Sequence, residues 1–372
     1  MNVIFRTDSS LEIGSGHVMR CLTLAQALRD QGSKCLFICR EHNGNLLDLI
    51  RERGFETKTL PMQIISWAKT DQQYTTSKNI IEYEEWLGSD WQTDAEQTKH
   101  AIGNTIADWL VVDHYGIDLK WESTLKPNYQ RLLVVDDLAD RSHICDLLLD
   151  QSFGRTPDHY KNLLPDNCKT LLGSQYALLR PEFSRFRKYS LMRRPKATLQ
   201  RLLISMGGID KNNVSGDILK ALDDCLLPDN LIITVVMGRH SPWLDQIHKQ
   251  ASQMKRSTKV LVNVENMAKL MTESDLAIGA AGSTTWERCC LGLPTITVTI
   301  ASNQLFIAKE LESATKVKAV KTETLKEDLK AFFNEVVLSK NLLGEISSRA
   351  GIITNGLGTS IVLKNLLKGS SR

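Results

Sequence analysis

A histidine that follows two glycines near the amino terminus has the setting that most directly suggests chemistry. The string Gly14-Ser15-Gly16-His17 lies between the apolar strand candidate 3–5 and apolar residues at helical spacing from Val18 onward, so residues 13–17 are predicted to form a turn. Ligands of open α/β sheets bind where strands end, and the free amide groups of a helix start attract anions there. Because imidazole changes charge near neutral pH, His17 is a candidate general base beside an anionic substrate.

Two further strings in the second half of the chain have the pattern of a nucleotide site. Ser205-Met206-Gly207-Gly208 directly follows a strand candidate, so its glycines allow backbone to approach a diphosphate closely. Gly282-Ser283-Thr284 repeats this arrangement, and its hydroxyls suit a helix cap or a phosphate oxygen. Glu287, one turn later, is placed to accept both hydroxyls of a ribose. From the residues alone, an ordinary helix cap followed by a solvated glutamate is an open alternative.

The elements that must position these residues are apolar strands alternating with helices. Strands are predicted at 3–5, 34–38, 109–112, 131–135 and 147–149, and at 201–205, 231–237, 259–262, 276–278 and 294–298. Continuous apolar strands of this kind indicate parallel sheets that are covered on both faces. The predicted fold class is therefore α/β, with two doubly wound Rossmann-like domains.

Length and composition limit the classes of protein that fit. At about 150 residues per domain, a chain of 372 residues suggests two domains. Lys and Arg number 46 against 43 Asp and Glu, and this near balance argues against nucleic acid or an anionic membrane as the main partner. The apolar runs are too short to span a bilayer, and the amino-terminal segment lacks the apolar core of a signal peptide, so the expected compartment is the cytoplasm.

Cysteine and acidic residues do not form a recognisable metal or disulfide pattern. The eight cysteines are scattered without a CxxC pair, and we expect them to be reduced thiols. The paired aspartates Asp136 and Asp137 lie at a predicted strand end, where such residues more often serve as caps or sugar ligands than as metal ligands. Since zinc and calcium ligand spacings are absent, no metal is expected.

The domain boundaries follow from changes in composition. We predict a first domain over 1–182, a linker over 183–198 that is rich in Arg, Lys and Pro, and a second domain over 199–355. The polar and aromatic stretch 62–103 is predicted to be helical insert material.

Six strings of the chain together closely resemble the PseG family. They are Gly14-Ser15-Gly16-His17-Val18-Met19-Arg20, Asp108-Trp109-Leu110-Val111-Val112-Asp113-His114-Tyr115-Gly116, Val135-Asp136-Asp137-Leu138-Ala139-Asp140-Arg141, Tyr176-Ala177-Leu178-Leu179-Arg180-Pro181-Glu182-Phe183, Ser205-Met206-Gly207-Gly208, and Gly282-Ser283-Thr284-Thr285-Trp286-Glu287-Arg288-Cys289. The resemblance continues through Asn303-Gln304 to Asn355-Gly356-Leu357-Gly358 and so covers nearly the whole chain.

This resemblance implies a UDP-sugar hydrolase of pseudaminic acid biosynthesis. Its implied reaction releases UDP and the free sugar from UDP-2,4-diacetamido-2,4,6-trideoxy-β-L-altropyranose, with water as the acceptor. The implied architecture is GT-B, as in the MurG-like glycosyltransferases, with two domains facing across a cleft. The amino-terminal domain would then present the sugar and catalytic groups, the carboxyl-terminal domain would hold UDP, and a last helix at about 356–372 would return to the first domain. No cofactor is implied, and a monomer is expected.

Residue roles follow from this resemblance together with the positions at strand ends. His17 is the expected catalytic base, which activates a water for inverting attack; Asp8 is expected either to orient its imidazole or to bind the sugar. The expected sugar-binding residues are Arg6, Asp8, Gly16, Asp113, His114, Tyr115, Arg180 and Asn355. The expected UDP-binding residues are Gly207, Gly208, Met237, Gly282, Ser283, Thr284, Glu287, Asn303 and Gln304.

Two positions depart from the family pattern, and two other functions compete. Ser152 stands where the family favours asparagine after Asp-Gln, and an acidic residue is common in the family near Asn355. One competitor is a GT-B glycosyltransferase with a lipid or glycan acceptor. A membrane enzyme of that kind should expose a basic and apolar patch on its first domain, and no such cluster is obvious before residue 150. The other is a nucleotide-binding regulatory module without turnover.

Overall fold

The computed structural model describes residues 1–63, 83–196, 198–339 and 341–369. The chain divides into two compact units. The first unit contains Met1–Leu178 and the segment that begins at Thr359, and the second contains Leu179–Gly358. Each unit is built around one sheet whose paired strands are all parallel, so the predicted α/β class with two Rossmann-like domains is confirmed.

The sheet of the first unit has seven strands in the order β3-β2-β1-β4-β5-β6-β7. The strands are β1 Asn2–Thr7, β2 Lys34–Arg40, β3 Glu56–Leu60, β4 Ala107–Asp113, β5 Tyr129–Val135, β6 Leu147–Asp150 and β7 Lys169–Leu172. Thr7 of β1 pairs in register with Asp113 of β4. Because parallel strands end at the same edge, Asp8 and His114 follow at neighbouring positions of the carboxyl edge.

Helices cover both faces of this sheet. They are α1 Gly16–Arg29, α2 Leu47–Glu52, α3 Trp91–Ile102, α4 Leu119–Thr124 and the carboxyl-terminal helix Gly358–Gly369, with short 3-10 turns at Lys126–Asn128, Pro157–Tyr160 and Ser174–Tyr176. Val3 and Phe5 belong to one buried cluster, which includes Val362 and Leu366 of the carboxyl-terminal helix, whereas Ile4 belongs to another. Since successive strand residues point to opposite faces, both faces are buried, which explains the continuous apolar strands.

The sheet of the second unit has six strands in the order β10-β9-β8-β11-β12-β13. The strands are β8 Arg201–Ser205, β9 Ile232–Met237, β10 Ser257–Val262, β11 Leu276–Ala280, β12 Thr295–Thr299 and β13 Val320–Lys321. The helices are α5 Pro181–Arg193, α6 Val214–Leu222, α7 Leu244–Gln253, α8 Met267–Glu273, α9 Thr284–Cys290, α10 Leu305–Thr315, α11 Leu325–Leu338 and α12 Leu342–Gly351.

The segment 183–198, for which the sequence predicts a linker, contains most of α5 and the 3-10 turn Arg194–Lys196. Phe183 and Ser190 of this helix are fully buried. The buried Arg194 guanidinium donates to the carbonyls of Met271, Ser274 and Leu291, which lie at or just beyond the ends of two helices. The positive charge of Arg194 thus serves packing inside the second unit.

Two further predictions concern a helical insert at 62–103 and the absence of membrane-spanning segments. In the stretch 62–103, predicted as a helical insert, residues 91–102 form α3, and residues 64–82 lie outside the described part of the chain. No helix in that described part combines the length and the apolar character that crossing a bilayer requires.

Candidate functional site

His17 and Asp113 meet at the carboxyl edge of the first sheet. His17 lies in the first turn of α1, which begins at Gly16 and so includes the end of the predicted turn, and Asp113 is the last residue of β4. The imidazole Nδ1 lies 2.5 Å from Asp113 Oδ1. Arg20, one turn further along α1, donates from Nε and Nη2 to the two oxygens of the same carboxylate, each at 2.6 Å. Asp113 is therefore held between an imidazole and a bidentate guanidinium.

The charge of Asp113 decides which imidazole nitrogen carries the proton. Burial alone would raise the pKa of this carboxyl, but Arg20 and His17 outweigh burial and hold the pKa well below its usual range. Arg20 Nη2 also lies 3.3 Å from His17 Nδ1, a longer distance than that to the carboxylate. The short contact with an ionised carboxylate assigns the proton to Nδ1. In the neutral ring, Nε2 then carries the lone pair that a general base needs.

Tyr115 and Asp137 complete the surroundings of His17. Arg20 Nη1 donates to Asp137 at 3.1 Å, and the Tyr115 hydroxyl donates to the same carboxylate. The Tyr115 ring stands edge-on to His17 with a centroid distance of 4.6 Å. Tyr83 and Trp86 in turn lie against Tyr115 at 5.1 and 5.6 Å. The imidazole is thus packed as well as hydrogen-bonded, and 7% of His17 is exposed.

The sequence did not predict a role for Arg20, Tyr83 or Trp86 at this site, and it predicted Asp137 only as a cap or sugar ligand. The spacing of Arg20, three residues after His17 on a predicted helix, is a signal that places both on one face. Asp137 and the two aromatic residues come from distant segments, and nothing in their local sequence indicates a contact with Tyr115.

Arg6 and Asp8 form a second, fully buried cluster at the same sheet edge. Both side chains are 0% exposed, with 2.7 Å between Arg6 Nη1 and Asp8 Oδ1, and Arg6 also pairs with Asp94 at 2.6 Å. His114 Nδ1 accepts a hydrogen bond from the Gly116 amide, so in the neutral ring the proton is on Nε2. This Nε2 lies 3.4 Å from Asp8 Oδ2. Burial lowers the pKa of His114 to about 3 and keeps it neutral.

This cluster bears on the first of the two roles expected for Asp8, which is to orient the imidazole of His17. In the described part of the chain, no hydrogen bond or ion pair joins Asp8 to His17, and the orienting contact comes from Asp113, which was predicted as a sugar ligand. The same described residues contain no group of three or more His, Cys, Asp or Glu side chains arranged to hold a metal ion.

In the second unit, glycine turns follow β8 and β9. Gly207 has φ of +100°, a backbone conformation that side chains disfavour. A Cβ on Gly238 would lie 2.2 Å from the Gly208 carbonyl oxygen, which accepts the Gly238 amide at 3.1 Å. The turn at Gly207 and Gly208 is therefore in contact with the turn after Met237. The Met237 side chain is buried in the core, and its carbonyl accepts the Asn263 amide.

Gly279 near the end of β11 is crowded, whereas Gly282 in the turn after this strand is open. A Cβ on Gly279 would lie 2.5 Å from Arg288 Nη1, whereas a Cβ on Gly282 would meet nothing within 4 Å. Ser283 precedes α9 but makes no side-chain cap hydrogen bond, and the Thr284 hydroxyl accepts from Arg288 Nη1 at 3.1 Å. The protein itself therefore does not require glycine at position 282, and the space beside it is free of protein atoms.

Glu287 lies one turn later and is 16% exposed. Burial raises the pKa of Glu287 to about 7, although Arg180, whose Nη2 is 4.0 Å from Glu287 Oε1, opposes the shift. Arg180 belongs to the second unit, where it also pairs with Glu182 at 3.0 Å. The carboxylate is thus poorly solvated and close to a cation, a setting that suits hydroxyl donors as ligands.

The remaining predicted site residues lie in turns of the second unit. Asn303 and Gln304 lie in the 3-10 turn Ser302–Gln304, and Gln304 Oε1 accepts the Ile300 amide at 3.1 Å. Asn355 is exposed, and its Oδ1 accepts the Leu357 amide at 3.0 Å.

Similarity to known proteins supports both the family resemblance and the fold. The chain is 28% identical over 283 residues to the UDP-2,4-diacetamido-2,4,6-trideoxy-β-L-altropyranose hydrolase of Campylobacter jejuni, a match that covers 76% of this chain and 86% of the relative. The resemblance to the PseG family is thereby confirmed. Residues 217–352, all in the second unit, match the family model of the glycosyltransferase family 28 C-terminal domain.

Solved structures show the same fold. MurG of Acinetobacter baumannii superposes with a TM-score of 0.66 at 17% identity, covering 99% of both chains. The S. aureus MnaA structure, which was solved with UDP, gives a TM-score of 0.60 at 12% identity over 100% of this chain and 98% of that one. The predicted GT-B fold is therefore confirmed.

Proposed function

We propose that this protein hydrolyses UDP-2,4-diacetamido-2,4,6-trideoxy-β-L-altropyranose to UDP and the free sugar. The observation that carries the proposal is the 2.5 Å contact between His17 Nδ1 and the clamped carboxylate of Asp113. A neutral imidazole held in this way has its basic nitrogen on the side away from the carboxylate, as a general base for water requires.

In the proposed reaction, water attacks the anomeric carbon while the bond to the UDP oxygen breaks. His17 Nε2 takes the proton from the water, and the electron pair of the broken bond leaves with the β-phosphate. Attack opposite the leaving group inverts the anomeric configuration, as in other single-displacement glycoside chemistry. Positioned base catalysis of this kind contributes roughly 10²- to 10⁴-fold in rate.

We assign UDP to the second unit. Gly207, Gly208 and Gly282 provide turns with backbone amides for the diphosphate, and Glu287 has the partly buried carboxylate that ribose hydroxyls would satisfy. The first unit contributes Tyr115, next to His17, for the acetamido groups, while the buried Arg6, Asp8 and His114 support the sheet edge beneath. We propose that the protein acts as a monomer without a metal, in the reducing environment that its eight free thiols suit.

The C. jejuni relative is a hydrolase, but the family 28 match and the likeness to MurG favour a glycosyltransferase as the second candidate. Reaction in water enriched in ¹⁸O, followed by NMR and mass spectrometry, separates the two. We expect UDP without label, sugar with one labelled oxygen at the anomeric carbon, an inverted first-formed anomer, and the same rate with a metal chelator.

Other outcomes of this experiment would replace the proposal. Substrate that stays intact until a glycan or lipid acceptor is added indicates transfer. Tight UDP binding without turnover under any of these conditions indicates a regulatory module. If an epimeric UDP-diacetamido sugar reacts faster, the proposed hydrolysis would stand, but the assigned substrate would change to that epimer.

A further inference from the structure

Two cysteines lie together at the amino edge of the first sheet, the edge opposite to His17. Cys168 directly precedes β7, and Cys145 stands two residues before β6, its neighbour in the sheet. Leu147 pairs in register with Lys169, so the strand pairing itself brings the two cysteines together. Their sulfur atoms are 3.6 Å apart, although the residues are 23 positions apart in the chain.

The two thiols differ in exposure. Cys145 is 2% exposed and belongs to a hydrophobic cluster with Leu148 and Tyr160. Cys168 is only partly buried and can meet a small molecule from solvent. A reagent would therefore reach Cys168 first, with Cys145 behind it.

The two thiols also differ in acidity. The hydrogen bond between the two sulfur atoms lowers the pKa of Cys168, while the same bond together with burial raises the pKa of Cys145. Burial and the charge of Asp146 oppose this lowering of the Cys168 pKa, and the charge of His143 supports it. His143 is itself paired with Glu122 at 2.5 Å, and this pairing raises the pKa of His143 against the effect of burial. A partly exposed thiol with a lowered pKa next to a buried thiol with a raised pKa is the arrangement of a reactive cysteine and its resolving partner.

We propose that Cys145 and Cys168 are a covalent modification site, which a low-molecular-weight disulfide such as oxidised glutathione converts to an intramolecular disulfide. The Cys168 thiolate attacks one sulfur of the reagent, forming a mixed disulfide and releasing one thiolate. Cys145, losing its proton to that thiolate, attacks the Cys168 sulfur and releases the second thiolate. One disulfide is reduced to two thiols while two protein thiols are oxidised to one disulfide.

The geometry needed for the second step is nearly in place. A disulfide bond is about 2.05 Å long, so the sulfur atoms must approach by about 1.5 Å. The two cysteines stand at the ends of the segment 146–167. Within this segment, the Arg155 guanidinium donates a hydrogen bond to the main-chain carbonyl of Asp137.

Peptide mapping after treatment with oxidised glutathione tests the proposal without any substrate. Trypsin cleaves after Arg141, Arg155, Lys161 and Lys169, so the two cysteines fall in separate peptides, 142–155 and 162–169. We expect these peptides to be joined by a disulfide in the treated wild type and to separate after reduction. Cys225 is the matched control. Like Cys168 it is only partly buried, whereas burial raises its pKa to about 11.

Variants separate the two steps. In Cys145→Ser, Cys168 should accumulate a stable mixed disulfide with glutathione. In Cys168→Ser, Cys145 should stay reduced, and Cys225→Ser should behave as the wild type does. With iodoacetamide at pH 7, Cys168 should react at least tenfold faster than Cys225, and Cys145→Ala should reduce that advantage. The proposal is overturned if the wild type keeps glutathione on Cys168, or if Cys168 stays reduced under conditions that modify Cys225.

Discussion

The Nδ1 atom of His17 lies 2.5 Å from a carboxylate oxygen of Asp113, although 96 positions of chain separate the two residues. The parallel pairing of β1 with β4 creates this contact, because His17 lies in the first turn of the helix that follows β1 and Asp113 is the last residue of β4. The pair gives the imidazole a defined tautomer and direction.

Replacing His17 by Asn should lower the rate of UDP release by roughly 10²- to 10⁴-fold, because the base is lost. UDP affinity should stay within about twofold, since the proposed UDP residues belong to the second unit. Turnover and calorimetric titration with UDP measure the two effects. The exposed His248→Asn is the control and should change neither; an equal rate in His17→Asn would show that the base is elsewhere.

Replacing Arg20 by Ala should destabilise the first unit by roughly 3–5 kcal/mol, because Asp113 is then a buried carboxylate without its guanidinium. Arg201 pairs with Glu273 at 3.4 Å, but those side chains are 55% and 43% exposed. Arg201→Ala should therefore cost about 1 kcal/mol or less. Since two units need not unfold in one step, hydrogen exchange of first-unit peptides is the measurement, and equal effects of both variants would contradict the assigned role of Arg20.

Replacing Glu287 by Gln should stabilise the second unit at pH 8 by up to about 3 kcal/mol. Burial raises the pKa of Glu287 in the folded protein from its ordinary 4.5 to about 7. The folded state therefore holds the proton more tightly, and stability is lost as pH rises from the unfolded pKa through the folded one. The gain should vanish below pH 4.5, and the exposed Glu323→Gln should show no such trend in urea unfolding.

The same carboxyl should make UDP binding depend on pH. If ribose hydroxyls donate to ionised Glu287, affinity should fall by about tenfold per pH unit below pH 7. Glu287→Gln should weaken UDP binding by roughly 10- to 100-fold at pH 8 and remove this slope. Titration of wild type and variant from pH 5.5 to 8.5 measures both; a wild-type slope that survives in the variant would exclude Glu287 as its source.

Alanine at Gly282 should weaken UDP binding with little change in stability, whereas alanine at Gly279 should lower stability. Gly282 has no atom within 4 Å of an added Cβ, so Gly282→Ala should leave stability within about 0.5 kcal/mol and weaken UDP binding, as its methyl group occupies ligand space. Gly279→Ala would place the methyl group 2.5 Å from Arg288 and 3.0 Å from the Ser205 carbonyl, and should cost roughly 1–3 kcal/mol. Unchanged UDP affinity in Gly282→Ala would remove this turn from the proposed site.

The sequence predicted the central strands and did not predict three of the edge strands. β3 and β7 lie at the two edges of the first sheet, and β13 lies at one edge of the second. In β3, Glu56 and Lys58 alternate with less exposed residues, and β13 has only two residues. Edge strands are paired on one side only and tolerate polar residues, so they lack the continuous apolar run by which the inner strands were recognised.

By itself, the sequence determined the α/β class, the inner strands, the position of His17 at the start of a helix, and the glycine turns, because these depend on local periodicity and backbone freedom. Only the tertiary structure decided that Asp113 rather than Asp8 holds the imidazole, that Arg20 and Asp137 join the same network, and that Cys145 meets Cys168. Such contacts depend on strand order and register, which bring together residues that are distant along the chain. Burial then fixes their charges, since desolvation and neighbouring ions act only once the chain is packed.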